Sequence, residues 1–309
     1  TPPDPLKELT TVERWTDEKG SRFTRQAIRA GTRTLTSLTR RDPDVDTVWT
    51  LEHLLKDADD FRAWIELPQA PFGGEPDLEP YLKAEREIGD RGIVLIDRGD
   101  ALCNVASLFD MGTYTVIALT EEELMHRALE KVQSLRLPQA AAISAALPGR
   151  LWRVVGAEYA SPPYLPPRLF RDYVTRYNRP LVEAIQRHGG FARIHSHGRL
   201  HDVLDHIAAT GCMGLDPVEP PHQGDVSLAY VREHYGRQMV LFGNIEATDL
   251  ENLPADAFRG KVETALREGT AGEGRGFVLM PSACPYGRVL PDRALRNYRT
   301  MVELAERWQ

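Results

Sequence analysis

Phe191-Ala-Arg-Ile-His-Ser-His-Gly198 is the stretch on which the reading of this chain turns. It follows Gly189-Gly190, opens on apolar residues and ends in two histidines two positions apart. Side chains at that spacing on a strand point to the same side. The expected strand over 191–197 therefore delivers two imidazoles to one spot at its C-terminal end.

Outward from it, apolar runs alternate with amphipathic segments. Gly92–Ile96, Leu151–Val155, Cys212–Asp216, Gln238–Phe242 and Gly276–Met280 read as strands. Helices are expected after the capping-box sequence Thr120-Glu-Glu-Glu123, from Pro166-Pro167 through Tyr177 with a kink at Pro180, and from Leu200 to Ile207. Further helices are expected over 226–235, after Asp256, and from Asp292 to Trp308. Ala101–Phe109 reads as either a strand or a helix. Such repetition predicts parallel strands covered by helices, hence an α/β fold. Gly272-Glu-Gly-Arg-Gly276 precedes a strand, so it reads as a turn and not a dinucleotide loop.

Polar groups recur at the strand ends: Glu158/Tyr159, His195/His197, Asp216/Glu219, Asn244/Glu246 and Ser282/Cys284. A (β/α)8 TIM barrel brings such ends to one face, and this favours the barrel over a doubly wound sheet. Residues 91–309 form the expected barrel body. Residues 1–90 form an irregular N-terminal extension packed on it, with a β-hairpin in Phe23–Arg41, a helix over Glu52–Ile65 and a loop over Pro68–Pro80.

Two imidazoles, a thiolate and a carboxylate suit a four-ligand zinc site. His195, His197 and Cys284 are the first-choice ligands. Glu158 or Glu219 completes the shell, or the fourth position is left to substrate. The plainer reading of the His-x-His pair is one histidine hydrogen-bonded in the core and the other facing substrate. Glu158, Tyr159, Glu219 and Asn244 are the candidate catalytic residues. Glu219 lies in Asp216-Pro-Val-Glu-Pro-Pro221, where prolines stiffen it either as a positioned carboxylate or as an ordinary loop residue. Asn244 reads as a donor to substrate or as the cap of the next turn. Tyr159 opens an aromatic, proline-rich stretch that suits a pocket wall or a stiffened loop. Cys103 and Cys212 read as small buried hydrophobes, and Trp152 as core.

Composition narrows the classes. The chain has 309 residues, 42% of them hydrophobic, enough for a sizeable core. A net charge of -7 and no basic stripe interleaved with aromatics exclude nucleic acid as the expected partner. No apolar run approaches the roughly 18–20 residues of a membrane span. Three cysteines far apart exclude a disulfide framework, and a reducing cytoplasm is expected. No signal peptide is read, and the chain opens on Thr1, so residues are expected to precede it.

His195–Gly198, Asp216–Pro221, Gly243-Asn244, Gly276–Pro291 and the closing segment Asp292–Trp308 occur in an order that resembles the uroporphyrinogen decarboxylase superfamily. The resemblance covers roughly residues 90–309 and is closest to the branch of zinc methyltransferases that move methyl groups between corrinoid proteins and thiols. It implies a (β/α)8 barrel and a His-x-Cys pair plus a distant cysteine on zinc. Those positions are His195, His197 and Cys284 here, so His197 stands where that branch has cysteine. An imidazole in place of a thiolate makes a metal a stronger Lewis acid and admits other transition metals. The resemblance implies a methyltransferase acting on a small molecule, with the corrinoid supplied by a separate protein or replaced by a small methyl donor. It also implies a homodimer, a habit of the family.

The decarboxylase branch is the alternative, as a metal-free decarboxylase or lyase using histidine and carboxylate as acid and base. Arg25-Gln-Ala-Ile-Arg-Ala30 only superficially resembles that branch's arginine-rich segment. Arg91, Arg98, Arg153, Arg193, Arg275 and Arg288 are the available cations for a polycarboxylate substrate. A third reading is a non-catalytic barrel that binds a tetrapyrrole or a partner protein.

Overall fold

The computed structural model describes residues 5–73, 75–284 and 289–308. Arg288 and the segment 285–288, part of the Gly276–Pro291 stretch, lie outside the described residues.

Strands β1 (Thr10–Thr16), β2 (Arg22–Ala30), β3 (Arg33–Arg41) and β4 (Val48–Glu52) form an antiparallel sheet in that order. The expected hairpin is β2–β3. It turns through Gly31, whose φ of +63° is a region glycine enters without a Cβ penalty. The strands on either side of it, β1 and β4, were not legible from pattern. The helix expected from Glu52 starts later, because Glu52 still belongs to β4. Helix α1 spans Ala58–Ile65, set by the Asp57 carboxylate accepting from the Asp60 N–H at 2.7 Å.

The second sheet is parallel and has the order β10-β9-β8-β7-β6-β5. Its strands are β5 (Leu95–Gly99), β6 (Leu151–Val155), β7 (Phe191–His195), β8 (Gly214–Val218), β9 (Val240–Ile245) and β10 (Phe277–Pro281). All six were expected to within a few residues. Neither β5 nor β10 pairs with a further strand among the described residues, so ring closure is not part of this sheet.

Helices α2 (Glu79–Ile88), α3 (Ala101–Ala106), α4 (Met111–Thr120), α5 (Glu122–Ala146), α6 (Pro167–Phe170) and α7 (Arg176–Arg187) alternate with the first of these strands. Helices α8 (Leu204–Ala208), α9 (Leu228–Tyr235), α10 (Ala247–Asn252), α11 (Ala255–Gly269) and α12 (Asp292–Arg307) follow in the second half. The strand or helix expected at Ala101–Phe109 is thus a helix, α3. Its start is fixed by the buried Asp100, which caps Cys103 N–H at 2.7 Å.

Strand alternation sorts the parallel sheet into two faces. Ile96, Trp152, Val154, Ala192, Ile194 and Leu215 are each 2% exposed or less and join the core cluster with residues of α5 and α7. Each fully buried valine, leucine or isoleucine side chain among them contributes about 1.5–3 kcal/mol. The alternate positions, Asp97, Arg153, Arg193 and His195, face away from those helices. No helix among the described residues is long and apolar enough to cross a membrane.

Candidate active site

Strand register assembles the polar face. Asp97 of β5 is the direct neighbour of Arg153 on β6, and Arg153 of Arg193 on β7. One step up, His195 of β7 stands beside Asp216 of β8. Asp216 is 1% exposed, and its Oδ2 accepts from Arg153 Nε at 3.1 Å and lies 3.2 Å from His195 Nδ1. Arg193 Nη2 lies 3.3 Å from the same oxygen. Arg153 also donates to Asp97 at 2.9 Å and approaches His195 Nε2 at 2.9 Å. Burial alone would raise the Asp216 carboxyl, but His195 and the two guanidiniums hold it below the usual carboxylate range.

Both nitrogens of His195 are therefore engaged. A guanidinium only donates, so Nε2 accepts from Arg153 and the Nδ1 hydrogen goes to Asp216. This network was not expected, although a signal for it existed. Arg153 in Leu-Trp-Arg-Val-Val155 and Arg193 in Phe-Ala-Arg-Ile-His195 are cations in the middle of apolar strands, and buried cations need partners.

His197 lies two residues beyond β7 and is a different kind of group. Its Nδ1 is 2.8 Å from Glu219 Oε1, and the other carboxylate oxygen accepts the Gly198 N–H at 2.8 Å. Gly198 makes that approach at φ +94°. Glu219 is 8% exposed, whereas the His197 side chain keeps 35% of its surface open. Burial disfavours the imidazolium. The hydrogen bond and charge of Glu219, with Glu158 and Asp216 beyond it, nevertheless carry the His197 pKa above its ordinary 6.5. Burial likewise opposes ionisation of Glu219, yet His197 and the Gly198 N–H hold its pKa below normal. The two imidazoles meet edge to face with centroids 4.6 Å apart.

Other strand ends frame His197. Glu158 accepts the Gly156 N–H at 3.1 Å. Tyr159 packs on Tyr114 at 5.8 Å, and burial raises its phenol. Glu246, after β9, accepts from Ser282 Oγ at 3.3 Å, and its second oxygen is buried without a partner. Burial first, and then the Glu219 charge, push Glu246 above the usual range. Asn244 is half-buried beside Met280 of β10, with no side-chain hydrogen bond among the described residues. Ser196 is fully buried, with its hydroxyl 2.9 Å from that of Ser161.

The structure thus brings His195, His197, Glu158 and Glu219 to one edge. Cys284 is exposed after β10. Among the described residues no group of three or more His, Cys, Asp or Glu is placed to hold a metal. With Arg153 at Nε2 and Asp216 at Nδ1, His195 has no nitrogen free for a metal in this arrangement. A cavity of about 680 Å³ lies at the opposite ends of the same strands, lined by Leu151, Phe191, Gly214 and Val240. Arg193 also lines it, but neither histidine, Glu158, Glu219 nor Glu246 does, so it is not the active-site candidate.

The fold agrees with comparisons to known proteins. Residues 106–308 match the family model described as uroporphyrinogen decarboxylase (URO-D). A methyltransferase from Methanosarcina mazei has a similar solved structure, with a TM-score of 0.60 and 19% identity over 86% of this chain and 73% of that one. At that identity the likeness speaks for the fold. The chain matches no curated protein. The family match spans well over half of the residues and includes both histidines, Glu219 and Glu246. The chain belongs to the uroporphyrinogen decarboxylase (URO-D) family.

Proposed function

We propose that this chain is an enzyme that moves a proton during a lyase-type or group-transfer reaction on a small neutral or cationic molecule. The His197–Glu219 pair carries the reading. Glu219 takes the Nδ1 hydrogen, which leaves Nε2 as the proton-carrying atom on a ring that is one-third open. Charged, His197 gives its Nε2 proton to a departing heteroatom or to the carbanion left by a lost group. Neutral, it removes a proton, and Glu219 stabilises the imidazolium that forms. Glu246, its pKa raised first by burial, stands nearby as a second carboxyl.

The charge balance supports the substrate class. Glu158, Glu219 and Glu246 surround His197, while Arg153 and Arg193 are taken up by Asp97 and Asp216. A polycarboxylate would meet repulsion here. Family membership implies a TIM barrel and supports an enzymatic role.

Methyl transfer is the second reading, favoured by the fold shared with the Methanosarcina methyltransferase and by the adjacency of the two imidazoles. In it His197 protonates the heteroatom that a methyl group leaves, and the acceptor is a corrinoid on a separate protein or a small molecule. Zn2+ or another transition metal enters this reading only if His195 gives up Arg153.

The test is turnover of a panel of methyl ethers, methylated amines and small amino alcohols, using metal-stripped and zinc-loaded protein. His197→Gln should lower turnover by about 100-fold or more in both preparations, within the range of lost acid–base catalysis. Activity that survives His197→Gln would sink the proposal. Turnover that needs zinc and ignores Glu219→Gln would transfer the weight to the second reading.

A further inference from the structure

Positive charge collects at the far end of the N-terminal sheet, away from the site above. Arg22 of β2 and Arg41 of β3 are direct cross-strand partners, with Thr16 of β1 opposite Arg22. Arg14, Thr24 and Thr39 form the next row across the same strands. By strand alternation all six side chains leave the same face. They border a shallow cavity of about 390 Å³, together with Trp15, Phe23 and Val48. Further along, this face is buried at Ile28 and Leu35, which anchors the sheet to the body.

Like charges directly opposite one another destabilise an antiparallel pair. Among the described residues Arg14 and Arg22 have no ion pair, and Arg41 meets only Asp46, at 3.2 Å. Arg41 Nε is buried without a partner. The reverse face is compensated: Arg40 pairs with Asp42 at 3.1 Å, and Arg25 stands opposite Glu13. Guanidiniums with donors to spare, beside threonine hydroxyls, are suited to oxyanions, phosphate above all. The cavity is of small-molecule size, in the range of roughly 300–1,000 Å³. A net charge of -7 on the whole chain disfavours a long polyanion. Exposed Val48, the cross-strand partner of Arg41 on β4, offers an apolar border for an organic moiety.

We propose that this cradle binds a small organic polyphosphate of nucleotide size, through Arg14, Arg22 and Arg41. This site is independent of the His197 chemistry.

Calorimetric titration of the full chain with ATP and with inorganic tripolyphosphate, at an ionic strength of about 0.15 M, tests it. Saturable one-to-one binding of ATP is expected. Arg22→Gln and Arg41→Gln should each weaken it about 10-fold, or about 1.4 kcal/mol. Arg29→Gln, exposed on the reverse face, should leave it unchanged. Without ligand, Arg22→Gln should melt no lower than the parent, because it relieves repulsion. Absence of saturable ATP binding, an equal loss in Arg29→Gln, or binding of tripolyphosphate without ATP would each overturn the proposal.

Discussion

Nη2 of Arg153 lies 2.9 Å from Nε2 of His195, on the neighbouring strand of the parallel sheet. That contact separates the two histidines of the His-Ser-His pair into different roles. His195 is locked between a cation and the Asp216 carboxylate. His197 is backed by a single carboxylate and presents its free nitrogen to solvent.

Asp216 holds that lock, because its Oδ2 receives Arg153, Arg193 and His195 together while Oδ1 has no partner. Asp216→Asn keeps the shape and removes the charge, leaving two guanidiniums facing each other across β6 and β7. The expected cost is about 2–4 kcal/mol, somewhat below a fully buried pair because Arg153 is partly exposed. Urea unfolding measures it. A loss under about 1 kcal/mol would mean that the network does not hold the sheet face together.

The His197–Glu219 pair makes a pH prediction with two edges. The folded pKa of His197 is raised, so its contribution to stability is complete below 6.5 and fades as pH rises through the folded value. The folded pKa of Glu219 is depressed, so its contribution is complete above 4.5 and fades as pH falls through the folded value. The attraction is therefore fullest between those two pH values. In Glu219→Gln the burial of His197 remains and its hydrogen-bonded counter-charge does not, so the imidazole should titrate lower than in the parent. Nitrogen-15 NMR of the ring reads this directly, and an unchanged His197 titration would show that Glu219 is not its partner.

The parallel strands and the site's address were legible because the responsible signals are local. Apolar runs bounded by glycine and a two-residue histidine spacing are written in short windows. The partners were not legible, because they come from register. Nothing in Leu151–Val155 says that Arg153 will stand between Asp97 and Arg193, three strands contributed by segments some 40–60 residues apart. Glu219 was singled out from its prolines, but the choice between positioned and ordinary carboxylate needed the His197 contact. Cys284 shows the converse case. Its place after the last strand was legible, and in the structure it is exposed there; the direction of a loop side chain is set by packing that no short window writes. Strands β1 and β4 escaped notice because their side chains are mostly exposed, which leaves no burial alternation to read.

Asp100 supplies the last prediction. It is 1% exposed at the end of β5, accepting from Cys103 N–H at 2.7 Å and from Asn178 Nδ2 at 2.8 Å. Burial, with a smaller push from Glu158, raises its pKa from 3.8 to about 7. The folded state then holds a proton that the unfolded chain releases, so stability should fall as pH rises from 3.8 toward about 7. At 1.36 kcal/mol per pKa unit the full loss is on the order of 4 kcal/mol. Asp100→Asn removes the ionisation and keeps an acceptor for the Cys103 cap. Its new amide faces Asn178, whose Oδ1 is buried without a partner and accepts once that side chain turns over. The variant should match or exceed the parent's stability near pH 8 and show a flatter slope between about pH 4 and 7. Urea midpoints across that range decide the matter. Parallel curves for the two proteins would mean that Asp100 is ionised throughout, with Asn178 and the α3 backbone compensating its charge in full.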